Sequence, residues 1–209
     1  MDVEVRKGHG HEHEDGATLD RVRLNEVFSH IVFAGRRRRV YRRIAEVSAA
    51  HQGERVLDVG CGGGYLSRLL ALAVGEEGGV TGVDPSATAI EYARRKAPGN
   101  CEFTVGAAQR LDQPDESFDL VTSTLAIHHI PEDARPAAFR QMYRVLRPGG
   151  RLLVADFRPS GGRFSLHGRG QARRHGGAIP LDDLVRAAGF RVEGDGELPL
   201  LRYVRAVRD

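Results

Sequence analysis

Asp58 stands two residues before a run in which Gly60, Gly62, Gly63 and Gly64 fill four of five positions, and Asp84 ends another apolar run 24 residues after Gly60. Glycine lets backbone come close to a ligand and adopt turns closed to other residues. A carboxylate at the end of the next strand can accept from two neighbouring hydroxyls, as on a ribose, and repels an extra phosphate there. The pairing therefore points to a nucleotide-type ligand. A phosphate loop would need Gly-x-x-x-x-Gly-Lys-Ser/Thr, which is absent, and the dinucleotide fingerprint Gly-x-Gly-x-x-Gly from Gly60 fails at Tyr65. Further along, His128 and His129 are adjacent. A neutral imidazole takes a proton from a hydroxyl or amine near neutral pH, so His129 and His128 are the candidate general bases.

These residues need elements to hold them. Val56, Leu57 and Val59 have the apolar, β-branched character of a strand buried on both faces, and Leu66, Leu69, Leu70 and Ala73 recur at helical spacing after the glycines. Strand, glycine turn and helix thus form one unit. Gly79 to Asp84 reads as a second strand; Pro85-Ser86 starts a helix with Ile90, Ala93 and Ala97 on one face, stopped by Pro98-Gly99. Cys101 begins a third strand and Phe118 a fourth. Leu146 to Val154 reads as a helix end, a turn and a fifth strand.

The four segments in this order resemble the class I S-adenosylmethionine-dependent methyltransferases, over residues 53–158. Asp58, Gly60, Gly62 and Gly64 spell the Asp-x-Gly-x-Gly-x-Gly of their first motif, and Asp84, Phe118-Asp119-Leu120-Val121 and Leu146 to Val154 match the later ones. The resemblance implies an α/β fold: a Rossmann-like, doubly wound, seven-stranded sheet, mostly parallel with one antiparallel strand and helices on both faces. It implies S-adenosylmethionine as cofactor, with S-adenosylhomocysteine as product. Gly60, Gly62, Cys61 and Tyr65 would face the methionine moiety, Asp58 its amino group, Asp84 and Pro85 the ribose, and Ser123, Thr124 and Leu125 the end where the methyl points. One loop departs from the family, which often has Gly-Asp-Ala where this chain has Gly106-Ala107-Ala108-Gln109. The usual acid is missing at Ala107, so adenine would be read by the Ala108 N–H and the Gln109 amide, which both donates and accepts.

The acceptor is less constrained. The Asp/Asn/Ser-Pro-Pro-Tyr/Phe sequence of base amino methylation is absent after the fourth strand, and neither Cys61 nor Cys101 has the context of a cytosine-methylating nucleophile. Arg36 to Arg39, Arg42 and Arg43 cluster in one segment, and Arg163, Arg169, Arg173 and Arg174 in another. Yet Arg outnumbers Lys 29 to 2 at a net charge of only +3, which is a compositional habit, and Val40, Ile44 and Val47 leave most of the first cluster to solvent. A small-molecule acceptor is the expectation, and nucleic acid is not expected as a partner. Protein or RNA methylation and a non-catalytic, cofactor-binding interaction module are the alternatives. Phe28 to Arg43 also resembles the N-terminal segment of quinone-ring C-methyltransferases, although the C-terminal third does not follow theirs. His128 and His129 could equally order their loop or pack beneath the cofactor.

The rest of the chain sets boundaries. Residues 1–16 read as a disordered tail, in which His9, His11 and His13 make no metal site worth its ordering entropy. Residues 17–52 read as a helical cap over the cleft, and 53–209 as the methyltransferase domain. Pro159 to Gly177 reads as a substrate-shaping loop, followed by a helix with Leu181, Leu184, Val185 and Ala188 inward and by strands Phe190 to Glu193 and Leu200 to Val207. No apolar run reaches 18 residues, no signal-peptide core is present, and two cysteines make no disulfide framework, which together give a cytoplasmic expectation.

Overall fold

A computed structural model describes residues 36–158 and 180–209. The expectations for the tail, for the cap as far as Gly35 and for the loop from Pro159 to Gly177 lie outside the described residues.

Seven strands join in one sheet. They are β1 (Arg55–Val59), β2 (Gly79–Asp84), β3 (Cys101–Val105), β4 (Phe118–Thr124), β5 (Leu146–Phe157), β6 (Arg191–Leu198) and β7 (Leu201–Val207), ordered β3-β2-β1-β4-β5-β7-β6. All pairings among the first five are parallel, and β7 runs antiparallel to both its neighbours. The five α-helices among the described residues are α1 (Arg37–Val47), α2 (Tyr65–Val74), α3 (Ala87–Arg94), α4 (Arg135–Val145) and α5 (Leu181–Ala187).

Neighbouring residues in a strand point to opposite faces, and here each central strand feeds two cores. Val56, Leu120 and Leu153 pack with Val40, Ile44, Leu66, Leu70 and Ile90 from α1, α2 and α3. Leu57, Val121 and Leu152 pack with Phe139, Met142, Val145 and Leu184 from α4 and α5. The sheet is thus covered on both sides, as the near-continuous apolar runs of β1 and β4 require. The fold is the doubly wound, mostly parallel, seven-stranded arrangement expected, with β7 as its antiparallel strand. The outer strand β6 carries Glu193, Asp195 and Glu197 between glycines, a charged edge that discourages pairing with other chains.

Several local expectations shift. β4 runs on through Thr122, Ser123 and Thr124, because the strand sits between β1 and β5 and all seven of its residues are buried. The α3 helix ends at Arg94, leaving Ala97 exposed beyond it. On α2 the buried set is Leu66, Ser67, Leu70, Ala71 and Val74, so Leu69 and Ala73 flank the core face instead of centring it. Leu146 to Gly150 extends β5 instead of ending a helix, and β6 runs on to Leu198.

Candidate active site

The carboxyl ends of β1, β2 and β4 open into a cleft of about 760 Å³, a size that suits a nucleoside-type ligand. Its floor is the glycine loop between β1 and α2. The N–H groups of Gly60 and Cys61 both donate to the Val83 carbonyl, at 2.7 and 3.1 Å, which staples the loop to β2. Gly60 has φ +74°, and a Cβ there would lie 2.3 Å from the Cβ of Ala126. Only glycine satisfies both constraints. Gly62, at φ +51°, would instead project a Cβ into open space, so its lack of a side chain leaves ligand volume rather than packing room.

Asp84 closes one side of the floor. One carboxylate oxygen accepts from the Gly62 N–H and the other from the Ser86 N–H, both at 2.9 Å. Ser86 in turn caps α3, its hydroxyl accepting from the Ala89 N–H. Asp84 therefore orders the start of α3 and the glycine loop at once, and each of its oxygens keeps lone-pair capacity for a ligand hydroxyl.

Asp58 lies deeper, 1% exposed. The Ser67 hydroxyl donates to one of its oxygens at 2.6 Å and the Thr122 hydroxyl to the other at 2.9 Å. Burial nevertheless pushes its pKa up to about 6; the two hydroxyls oppose the rise and the nearby Asp84 charge adds to it. Two neutral donors do not replace lost water, and among the described residues no cationic side chain forms an ion pair with this carboxylate.

The remaining walls come from the loops after β3 and β4 and from β5. Ala107, Ala108 and Gln109 line the cleft as expected, together with Pro85, Cys61, Tyr65, Thr124 and Leu125. Ser123 does not: it is fully buried one residue back along β4, where alternation turns it away from Thr124. Thr124 keeps a buried hydroxyl oxygen with no hydrogen-bond partner among the described residues. Leu125 takes φ +57°, a left-handed conformation that costs on the order of 1–2 kcal/mol in a non-glycine residue. Its N–H donates to the Ala155 carbonyl at 2.8 Å, so the chain leaves the sheet sharply and brings Ala126 against Gly60.

His128 and His129 follow in a short 3₁₀ turn, both lining the cleft, with ring centroids 3.9 Å apart. Burial and the neighbouring His128 hold the His129 pKa below its usual value, against the opposing pull of Asp156 and Asp84. Asp156, at the end of β5, lies 2.7 Å from Nδ1 of His128. That acid is missed by reading the motifs alone. Its signal was present, since β5 ends Leu152-Leu153-Val154-Ala155-Asp156 much as the other two site strands approach Asp58 and Asp84.

Two further site residues come from α1. Arg37 is 8% exposed, unlike its exposed neighbours Arg36, Arg38 and Arg39, and it stacks 4.7 Å from the Tyr65 ring and 5.5 Å from that of Tyr41. Tyr41 meets Tyr65 edge-on at 5.1 Å, and Arg37, Tyr41 and Tyr65 all line the cleft. Within an arginine run, no sequence signal separates the one that turns inward. Cys61 and Cys101 are free thiols; burial pushes Cys61 well above the usual range and Cys101 up to about 12, so neither is a thiolate nucleophile at neutral pH.

Residues 56–150 match the family model described as a methyltransferase domain. The structure is similar to a SAM dependent methyltransferase from Aquifex aeolicus, with a TM-score of 0.71 at 20% identity over 91% of this chain and 98% of that one. It is also similar to a putative methyltransferase from Bacillus halodurans, with a TM-score of 0.60 at 25% identity over 75% and 71% of the two chains. Residues 56–150 carry a methyltransferase domain, set in a fold shared with a SAM dependent methyltransferase. Among curated relatives, this chain is 36% identical over 132 residues to the ubiquinone/menaquinone biosynthesis C-methyltransferase UbiE of Pseudomonas savastanoi pv. phaseolicola, covering 60% of this chain and 51% of the relative. It is 33% identical over 137 residues to the protein of that name from Vibrio vulnificus, covering 63% and 52%. The chain spans about half the length of the curated relatives it matches. No helix among its described residues is long and apolar enough to cross a membrane.

Proposed function

We propose that the protein transfers a methyl group from S-adenosylmethionine to a small-molecule acceptor by in-line displacement. When bound, the cofactor supplies an electrophilic methyl group on a sulfonium cation. The observation that carries the reading is the 2.9 Å bond between Asp84 and the Gly62 N–H beside the buried Asp58. It puts a ribose-type acceptor, an open glycine floor and an uncompensated carboxylate in one cleft.

The residues fit the cofactor end by end. Asp84 accepts from the ribose hydroxyls, with Pro85 alongside. Gly60, Cys61 and Gly62 leave room for the methionine chain, whose ammonium offsets the Asp58 charge and whose carboxylate meets Arg37 beside Tyr65. The unpartnered Thr124 hydroxyl and the Leu125 turn face the same ligand. Ala107 contributes no acid, and the Ala108 N–H with the exposed Gln109 amide reads the adenine edge. Holding donor and acceptor aligned in such a cleft is worth on the order of 7–11 kcal/mol of the barrier, so this scaffold accelerates transfer before any base acts.

A second reading, ring C-methylation of a quinone-type acceptor, is favoured by the 36% identity to the Pseudomonas relative, a ubiquinone/menaquinone biosynthesis C-methyltransferase. The free cysteines suit a reducing compartment such as the cytoplasm. Calorimetric titration with S-adenosylmethionine and S-adenosylhomocysteine tests the core of the proposal: saturable one-to-one binding is expected, and no binding would leave a cofactor-type fold serving only as an interaction module. A screen of metabolite extracts with methyl-labelled cofactor then identifies the acceptor. Labelling of protein or RNA in place of small molecules would overturn the acceptor class.

A further inference from the structure

The end of β5 holds an acid that cofactor binding does not use. Asp156 is 8% exposed, and its carboxylate accepts from the Nδ1 side of the His128 ring at 2.7 Å, from the His128 backbone N–H at 3.0 Å and from the Phe157 N–H at 2.7 Å. Ring and backbone of one histidine are thus gripped by one carboxylate. With Nδ1 against that acceptor, the hydrogen sits on Nδ1 and Nε2 keeps its lone pair. The His128 side chain is 35% exposed and lines the cleft, so a ligand can reach it. Phe157 is 41% exposed and packs edge-on to the His128 ring at 5.1 Å, the His129 ring lies 3.9 Å from it, and Ile130 and Pro131 also line the cleft.

We propose that His128 is the general base, that Asp156 is its positioning residue, and that the acceptor is a hydroxyl on an aromatic or conjugated ring, a phenol or enol, lying against Phe157. The proposal rests on the methyl-transfer reading above. Base strength selects the acceptor class. Imidazole free in water is roughly three to four powers of ten too weak to ionise a phenol outright, a gap that general-base catalysis spans. For a hydroxyl as weakly acidic as water it is about nine powers of ten too weak. A protonated amine would bring a cation to a wall whose nearest carboxylate is already bonded to three donors.

In the step itself the acceptor O–H bond breaks and its proton passes to Nε2. The freed electron pair forms the bond to the methyl carbon, and the pair of the methyl–sulfur bond returns to sulfur, cancelling the sulfonium charge. Asp156 stabilises the imidazolium until it yields the proton to solvent. Attack through the conjugated ring carbon starts from the same anion, the ring hydrogen then leaving to water.

The test uses the whole protein with methyl-labelled cofactor and defined probes: hydroquinone, catechol, a nitrophenol already ionised at the assay pH, cyclohexanol and benzylamine. Methylation of the phenols but not of cyclohexanol or benzylamine is expected, with product NMR distinguishing oxygen from ring carbon. Asp156→Asn and His128→Gln should each lower kcat on hydroquinone about 10²–10⁴-fold, the range of general-base catalysis. Both should leave KM and S-adenosylhomocysteine affinity unchanged and keep near wild-type rates on the ionised nitrophenol. Nitrogen-15 NMR of histidine-labelled protein should show His128 protonated at Nδ1, and a mixture of tautomers in Asp156→Asn. Equal losses on neutral and ionised phenols, an Nε2–H tautomer, or no phenol methylated by protein that binds S-adenosylhomocysteine would each overturn the proposal. Failure to bind S-adenosylhomocysteine would instead sink the reading beneath it.

Discussion

Replacing Asp58 by Asn should stabilise the folded protein and weaken its hold on the cofactor, and the two effects share one cause. The carboxyl moves from an ordinary pKa of 3.8 in the unfolded chain to about 6 in the folded one. Below the lower value it is neutral in both states and costs nothing. Between the two the unfolded chain gives up its proton while the folded protein keeps it, so stability falls as pH rises. Above pH 6 to 7 the loss is constant, at about 3 kcal/mol for a shift of this size. The amide removes that charge at almost the same volume. It returns one NH₂ where the carboxylate had an acceptor, so either Ser67 or Thr122 must turn its hydroxyl, at about 1 kcal/mol.

The net expectation is about 2 kcal/mol of added stability at pH 8, or about 4–8 °C in Tm for a chain of this length, fading to nothing or a slight deficit near pH 4. Urea unfolding of both proteins from pH 4 to pH 8 measures the difference curve. A curve flat across that range, or a wild type more stable at pH 8, would refute the claim that Asp58 is buried as an uncompensated charge. On the cofactor side, the Asp58→Asn protein no longer presents an anion to the ammonium, and S-adenosylhomocysteine affinity should drop by about 1.5–3 kcal/mol at pH 8. For the wild type, affinity should fall as pH drops through about 6. Unchanged affinity with the predicted gain in stability would separate Asp58 from the cofactor.

Asp84→Ala removes the ribose acceptor and also frees the Gly62 and Ser86 N–H groups, so S-adenosylhomocysteine binding should weaken by at least about 1.5–3 kcal/mol in a protein whose circular dichroism is unchanged; full affinity in calorimetry would end the ribose assignment. Gly62→Val fills open cleft and strains a positive φ by about 1–2 kcal/mol, so it should abolish cofactor binding with only a modest fall in Tm. Gly60→Ala drives a Cβ into Ala126 and should show the reverse weighting, a larger fall in Tm; a Gly62→Val protein that binds normally would reduce the loop to a structural turn. Ala107→Asp should tighten cofactor binding by about 0.5–1.5 kcal/mol and Gln109→Ala should loosen it, and a titration in which neither matters would remove the loop after β3 from adenine recognition.

The centre of the sheet was legible because its strands are buried on both faces, and a chain that must do this writes Val56-Leu57 and Leu152-Leu153 as apolar pairs, one residue for each core. The glycine loop and Asp84 were legible for the same kind of reason: a ligand at strand ends admits few residue types. What escaped depends on register and on distance in the chain. Ser123 was misplaced because the end of β4 is fixed by its two neighbours, and a one-residue change in a strand swaps faces. Arg37 escaped because only the rotation of α1 about Val40 and Ile44 distinguishes it from Arg36 or Arg38. Asp156 escaped because its partner is 28 residues away, and only the parallel pairing of β4 with β5 brings the two together.

The three site acids show how one fold gives like residues different chemistry. All sit at or near carboxyl ends of parallel strands, and each is at least partly withdrawn from water. Asp84 receives two backbone N–H donors and faces the cleft, which suits it to accept from a ligand. Asp156 receives two N–H groups and an imidazole, which directs its charge onto one ring nitrogen. Asp58 receives only two hydroxyls, and burial wins, raising its pKa to about 6. The least compensated acid is therefore the one with most to gain from a cationic ligand, and under the proposed reading the ammonium end of the cofactor meets it where the glycine loop leaves the cleft open.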